Sequence, residues 1–120
     1  MPILDVEIVT RRGESLPPSL AAGLADALGE LYGAGPGRVW VRLRDLPEER
    51  YAENGGGEPA FPVFVTVREG VPPAGDGLAE HVARIAGCVA RVAGRPAAHV
   101  HVVMEPAMKG RIAFGGALVA

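Results

Sequence analysis

Arg38-Val39-Trp40-Val41 and His99-Val100-His101-Val102 are the two stretches that decide how this chain folds. Each alternates valine with a polar or aromatic residue, the period of two that marks a strand with one buried face. They stand 61 residues apart (99 − 38) in a chain of 120, so one unit occurs twice. The same offset carries Gly55 onto Gly116 but Gly56 onto Ala117. The repeat is partial, although a glycine pair closes both halves.

The rest of each unit lies upstream of its quoted strand. Leu4, Val6 and Ile8 alternate with Asp5 and Glu7, which predicts a first strand over Leu4 to Thr10. Prolines 17 and 18 then sit where a first helical turn tolerates them, and Leu20, Leu24, Leu28 and Leu31 follow at helical spacing until Gly33, Gly35 and Pro36 stop them. Val39, Val41 and Leu43 form the second strand. In the other half, Val63, Val65 and Val67 make a strand ending in Arg68, Glu69 and Gly70. Asp76 reads as an N-cap for a helix marked by Leu78, Val82, Ile85, Val89 and Val92 and closed by Gly94 and Pro96, and Val100, Val102 and Met104 form the last strand. Glu53 to Pro59 is polar and glycine-rich, hence a linker or hairpin.

Two β-α-β units with right-handed crossovers predict an α/β two-layer sandwich, a four-stranded sheet with two helices on one face. The length supports one domain, made of repeats over about 2–57 and 59–120. A ferredoxin-like arrangement uses a similar set of elements, and periodicity alone does not separate the two.

Composition narrows the function classes. The chain is 48% hydrophobic but only 5% aromatic, so its core rests on aliphatic side chains. A net charge of −2 argues against nucleic acid, which needs clustered cations to neutralise phosphates. No run approaches the roughly 18 apolar residues of a spanning helix. The single cysteine, Cys88, has no internal disulfide partner, and a reducing cytoplasm is the expected setting.

The chemistry starts at Met1-Pro2-Ile3. A small second residue allows the initiator methionine to be trimmed, which leaves Pro2 with a free secondary amine. Anchored at the head of a buried strand, that amine has a fixed direction. Burial and neighbouring arginines both disfavour its protonated form relative to the α-amino reference of about 7.7 to 8.0, as suits a general base.

In this context the sequence resembles 4-oxalocrotonate tautomerase and its superfamily. The resemblance rests on Pro2-Ile3 opening a strand, Arg12 at its end, one helix, a second strand and a glycine-pair closure. Glu105-Pro-Ala-Met-Lys-Gly-Arg-Ile-Ala-Phe-Gly-Gly116 is similar to the family's closing segment, and Asp45 through Tyr51 to Gly55 is a looser version. The likeness covers the chain once per half, the fused double-length form.

By that resemblance Pro2 matches the catalytic proline, and Arg12 the arginine that grips a substrate carboxylate. Trp40 stands where the short enzymes carry a second arginine, and Tyr51 where they carry a shielding aromatic; His101 and Ile112 hold those positions in the second half. No free amine opens the second half, since Pro59 and Pro62 are interior, so one working site is expected per chain. Head-to-tail pairing of the halves sets Pro2 against the end of strand three, where Arg68 is present and Val71 replaces a possible second arginine. Arg68 is then favoured over Arg12 as the carboxylate clamp.

The resemblance implies a tautomerase or isomerase acting on a small 2-oxo or unsaturated carboxylic acid, without metal or organic cofactor, as a homotrimer. A dehalogenase or decarboxylase of the same superfamily is the alternative within enzymes. Ile112 supplies no acid at one position where those enzymes activate water, which favours proton transfer. A non-catalytic ferredoxin-like binding module is the alternative outside them. His99, His101 and Glu105 share a strand face without a convincing further metal ligand. His81 is expected on a solvated stripe with Arg84, Cys88 and Arg91, and Cys88 as an inert thiol.

Overall fold

In the computed structural model, which describes residues 1–119, four long strands and two long helices follow the predicted order, and a two-stranded hairpin comes after them. They are β1 (Ile3–Thr10), α1 (Leu20–Tyr32), β2 (Trp40–Pro47), β3 (Val63–Arg68), α2 (Asp76–Ala93), β4 (Val100–Met104) and a small hairpin, β5 (Ala113–Phe114) with β6 (Ala117–Leu118). Short 3₁₀ turns, Glu48–Arg50 and Ala97–His99, leave β2 and enter β4.

The four long strands form one sheet in the order β2-β1-β3-β4. β1 pairs parallel with β2 and β3 parallel with β4, while β1 and β3 run antiparallel down the middle. Both strands of each β-α-β unit are therefore neighbours. A split ferredoxin-like sheet would place another strand between them, so that arrangement does not apply.

Alternation assigns the two faces. Leu4, Val6 and Ile8 of β1 and Val63, Val65 and Val67 of β3 are at most 1% exposed, packed under Leu24 and Leu28 of α1 and Ile85 and Val89 of α2. Burying each such side chain contributes about 1.5 to 3 kcal/mol. The opposite face carries Ile3, Asp5, Glu7, Trp40, Arg42, Arg44, Phe64, Thr66, Arg68 and His101 and has no layer over it from the long helices.

The prolines and Asp76 depart slightly from expectation. α1 starts at Leu20, after the turn in which the Leu20 amide donates to the Pro17 carbonyl, so both prolines precede the helix. Asp76 is the first helical residue of α2 and Gly75 its cap, which sets the carboxylate in the first turn, where the helix dipole favours it. Gly33 and Gly94 close the helices at φ of 61° and 67°, a left-handed conformation that a β-carbon disfavours.

Candidate active site at the Pro2 end of the sheet

The antiparallel centre of the sheet separates the residues of interest into two groups. Pro2 to Thr10 is eight residues of extended chain, about 26 Å. Side chains at the start of β1 therefore do not meet those at its end within one chain.

At the Pro2 end, Ile3 lies in register with Trp40 on one side and Arg68 on the other. Pro2 is buried, and its carbonyl accepts the Trp40 amide at 3.1 Å. Ile3, Trp40, Arg42 and Arg68 line a hollow of about 370 Å³ on the open face. Trp40 is fixed from two directions: its indole N–H donates to the Gly37 carbonyl at 2.9 Å, and its ring meets Phe114 edge to face at 4.8 Å. Sequence reading missed Phe114. Its only signal is an aromatic residue just ahead of the Gly115-Gly116 turn, whose hairpin folds it back over β2.

Arg68 is one-third exposed and is not a free cation. Its Nη1 donates to Asp5 Oδ2 at 2.7 Å, and its Nη2 lies 4.0 Å from Glu105 Oε1. Asp5 also takes Arg42, through Nε at 2.6 Å and Nη2 at 2.8 Å. The Arg42 hydrogen bonds, reinforced by Arg68 and opposed by burial, hold the Asp5 carboxyl at about 2, below its ordinary 3.8. These two arginines and two carboxylates balance in charge. Their field on Pro2 is therefore weaker than two unpaired guanidinium groups would exert.

Behind this end, on the helix side, lies a cluster of Glu69, Tyr32 and His81, of which the sequence reading placed His81 in solvent. Glu69 is 8% exposed, and its Oε1 receives both the Tyr32 hydroxyl of α1 and His81 Nε2 of α2, the latter at 2.6 Å. The Tyr32 and His81 rings pack edge to face at 5.4 Å. Burial, then the Glu69 bond, push the Tyr32 phenol far above its ordinary value, so it acts as a donor. His81 is thus turned inward, unlike its exposed helix neighbours Arg84 and Arg91, and the solvated-stripe expectation fails. Cys88 is buried too, and burial raises its thiol, in keeping with an inert role.

The opposite end gathers Arg12 and Tyr51. Arg12 is exposed, and its backbone N–H donates to Glu48 at 2.9 Å. The Arg11 guanidinium stacks 4.2 Å from the Phe61 ring, and Tyr51 donates its hydroxyl to Glu53 beside a 250 Å³ hollow. Arg95 ties the end of α2 to β1 through the Val9 carbonyl at 3.3 Å and Glu14 at 3.2 Å.

Of the other expected residues, His101 is exposed on β4 beside Phe64, at 5.5 Å between rings, and Ile112 is buried ahead of β5. His99 is exposed at the end of its 3₁₀ turn. Among the described residues no three His, Cys, Asp or Glu side chains are grouped to hold a metal, and no helix is long and apolar enough to cross a membrane.

No family model matches the sequence, and neither does any curated protein. Solved structures do. Macrophage migration inhibitory factor from Trichinella spiralis superposes with a TM-score of 0.71 at 12% identity, over 97% of this chain and 98% of that one. A fused 4-OT solved as a symmetric trimer gives a TM-score of 0.72 at 19% identity, over 98% and 94%. The chain has the tautomerase fold. Pt0534, solved after inactivation by 2-oxo-3-pentynoate, adds a TM-score of 0.68 at 18% identity, over 98% of this chain and 94% of that one. Within the tautomerase fold of this chain, Pro2, Trp40 and Arg68 lie at one end of the sheet, and Arg12 and Tyr51 at the other.

Proposed function

We propose that the chain is a cofactor-independent tautomerase or isomerase that moves a proton within a small 2-oxo or unsaturated carboxylic acid. Pro2, freed by loss of Met1, is the general base, and Arg68 clamps the substrate carboxylate. The observation that carries this reading is the hollow of about 370 Å³ at the head of β1, walled by apolar Ile3 and Trp40 and by Arg42 and Arg68. It offers an apolar wall for a planar unsaturated chain and guanidinium groups for a carboxylate.

In the proposed reaction the amine lone pair takes the enol O–H proton. The C=O bond forms as the C=C pair moves to carbon, and the proline N–H⁺ returns the proton to that carbon. Atoms and charge balance, and nothing else is consumed. Asp5, the carboxylate beside the hollow, is committed to Arg42 and Arg68, which supports proton transfer over the dehalogenase or decarboxylase alternative, where an acid activates water.

The assembly we propose is a homotrimer in a cytoplasmic setting. Trp40 is 43% exposed, Val103 53% and Leu118 61%, and among the described residues no strand pairs with the outer edges of β2 and β4. Packing copies of the chain together would bury these groups.

Three measurements test the proposal. Intact mass should show Met1 removed. Phenylenolpyruvate ketonisation should proceed and fall at least about 100-fold in Pro2→Ala, the range of a lost general base. Treatment with 2-oxo-3-pentynoate should leave one adduct per chain on Pro2. Turnover of chloroacrylate alone would favour the hydrolytic alternative, and Pro2→Ala with unchanged turnover would remove the mechanism.

A further inference from the structure

The helix side of the Pro2 end holds a buried carboxylate that the proposed reaction does not use. The β1–β3 register runs Leu4 opposite Val67 and Ile3 opposite Arg68; continued by one residue, it sets Pro2 opposite Glu69. Parity agrees, since Pro2 shares a face with Leu4 and Val6, and Glu69 with Val67 and Val65. Both residues are buried. Directly opposed residues on antiparallel strands have β-carbons about 4.5 to 5.5 Å apart, within reach of a glutamate side chain.

Glu69 is held in place and yet keeps acceptor capacity. Tyr32 and His81 both bond Oε1, and among the described residues none bonds Oε2. Its exit from β3 is pinned as well: the Glu69 carbonyl accepts the Met108 amide at 2.9 Å, and the Gly70 carbonyl accepts the Lys109 amide at 3.0 Å.

We propose that Glu69, braced by Tyr32 and His81, is a positioning residue for Pro2: its Oε2 accepts a hydrogen bond from the ring nitrogen and fixes the direction of the amine. This rests on the proposed function, because the nitrogen can donate only after Met1 is removed. The same carboxylate stabilises the protonated amine and so offsets burial. Every other charged group around Pro2 is matched or exposed. Arg42 and Arg68 on the open face share Asp5 and Glu105, Arg38 from the β2 side lies in solvent against Met1, and Lys109 of the closing segment is exposed. His81 from α2 and Tyr32 from α1 face Glu69 itself. Glu69 is therefore the charge whose removal Pro2 registers most.

The test is an NMR titration of the Pro2 nitrogen in the trimmed, assembled protein, beside the pH profile of kcat/KM. The midpoint of the wild-type amine is the reference for the variants. Glu69→Gln, close in shape but uncharged, lowers that midpoint by about one unit or more, as expected for loss of an opposite charge within about 6 Å. The acid limb of the profile moves with it. Tyr32→Phe and His81→Asn retain the carboxylate and move the midpoint by a few tenths at most. A cluster that only braces the fold would instead lower thermal stability in all three variants and leave the midpoint alone.

An unshifted midpoint in folded Glu69→Gln overturns the inference. If that variant does not fold, Glu69→Asp, which keeps the charge but draws it back from the ring nitrogen, decides instead: an unmoved midpoint and acid limb overturn the inference equally. Either result, with Met1 absent and Pro2→Ala inactive, leaves the proposed base standing. Retained Met1 in the mass spectrum takes down both.

Discussion

Replacing Asp5 by Asn tests the charge cluster beside Pro2. In the folded chain Asp5 accepts Arg42 at 2.6 and 2.8 Å and Arg68 at 2.7 Å, which holds its carboxyl at about 2 rather than 3.8. A shift of nearly two units, at about 1.36 kcal/mol each, corresponds to about 2.4 kcal/mol. The Arg42 side chain is 61% exposed, so solvent screening reduces this to about 1 to 2 kcal/mol. Because the folded-state value is depressed, the contribution is fully present above the unfolded value near 4 and is lost as pH falls from 4 towards 2. Urea denaturation at fixed protein concentration should therefore show Asp5→Asn less stable than wild type by about 1 to 2 kcal/mol at pH 7. The gap should close below pH 3. An equal deficit at both pH values would refute the electrostatic account and assign the loss to packing.

Other substitutions separate the two ends of the sheet and probe the core. Arg68→Ala should raise KM for a carboxylate substrate about tenfold or more, the loss expected for a charged hydrogen bond, whereas Arg12→Ala should change it less than about twofold. Equal effects in steady-state kinetics would mean that the far end completes the site. Leu24→Ala, at a position with no exposure, should cost about 2 to 5 kcal/mol in chemical denaturation; a loss under 1 kcal/mol would mean that the two layers re-pack. Tyr32 should stay protonated in an ultraviolet titration well beyond its ordinary value of 10.0, because burial and then Glu69 raise it. Its stabilising contribution is thus complete below that value and fades as pH climbs past it, and ionisation near 10 in the folded chain would contradict the buried cluster.

Much of the candidate site is legible only through strand parity and the internal repeat. Alternation in β1 and β3 is enough to place Arg68 on the face opposite the helices, and pairing the halves head to tail brings it beside the start of β1. What alternation omits is the partner across the sheet. Asp5 and Arg68 are 63 residues apart, and nothing local to either marks the bridge that occupies the guanidinium. His81 reads as surface because its spacing matches Arg84, Cys88 and Arg91. It turns inward because Glu69 and Tyr32, from other elements, supply the polar contacts that allow an imidazole to be buried.

The sequence by itself determined the elements, their faces and the duplication, because periods of 2 and 3.6 and glycine stops act within a few residues of chain. It also determined that a proline heads the first strand. Only the tertiary structure decided that Trp40, Phe114 and Glu69 join Pro2 and Arg68 at one end of the sheet, and that Tyr51 lies with Arg12 at the other. That choice belongs to strand order and register, which are fixed by how two helices and four strands bury one common apolar layer and not by any short stretch of chain.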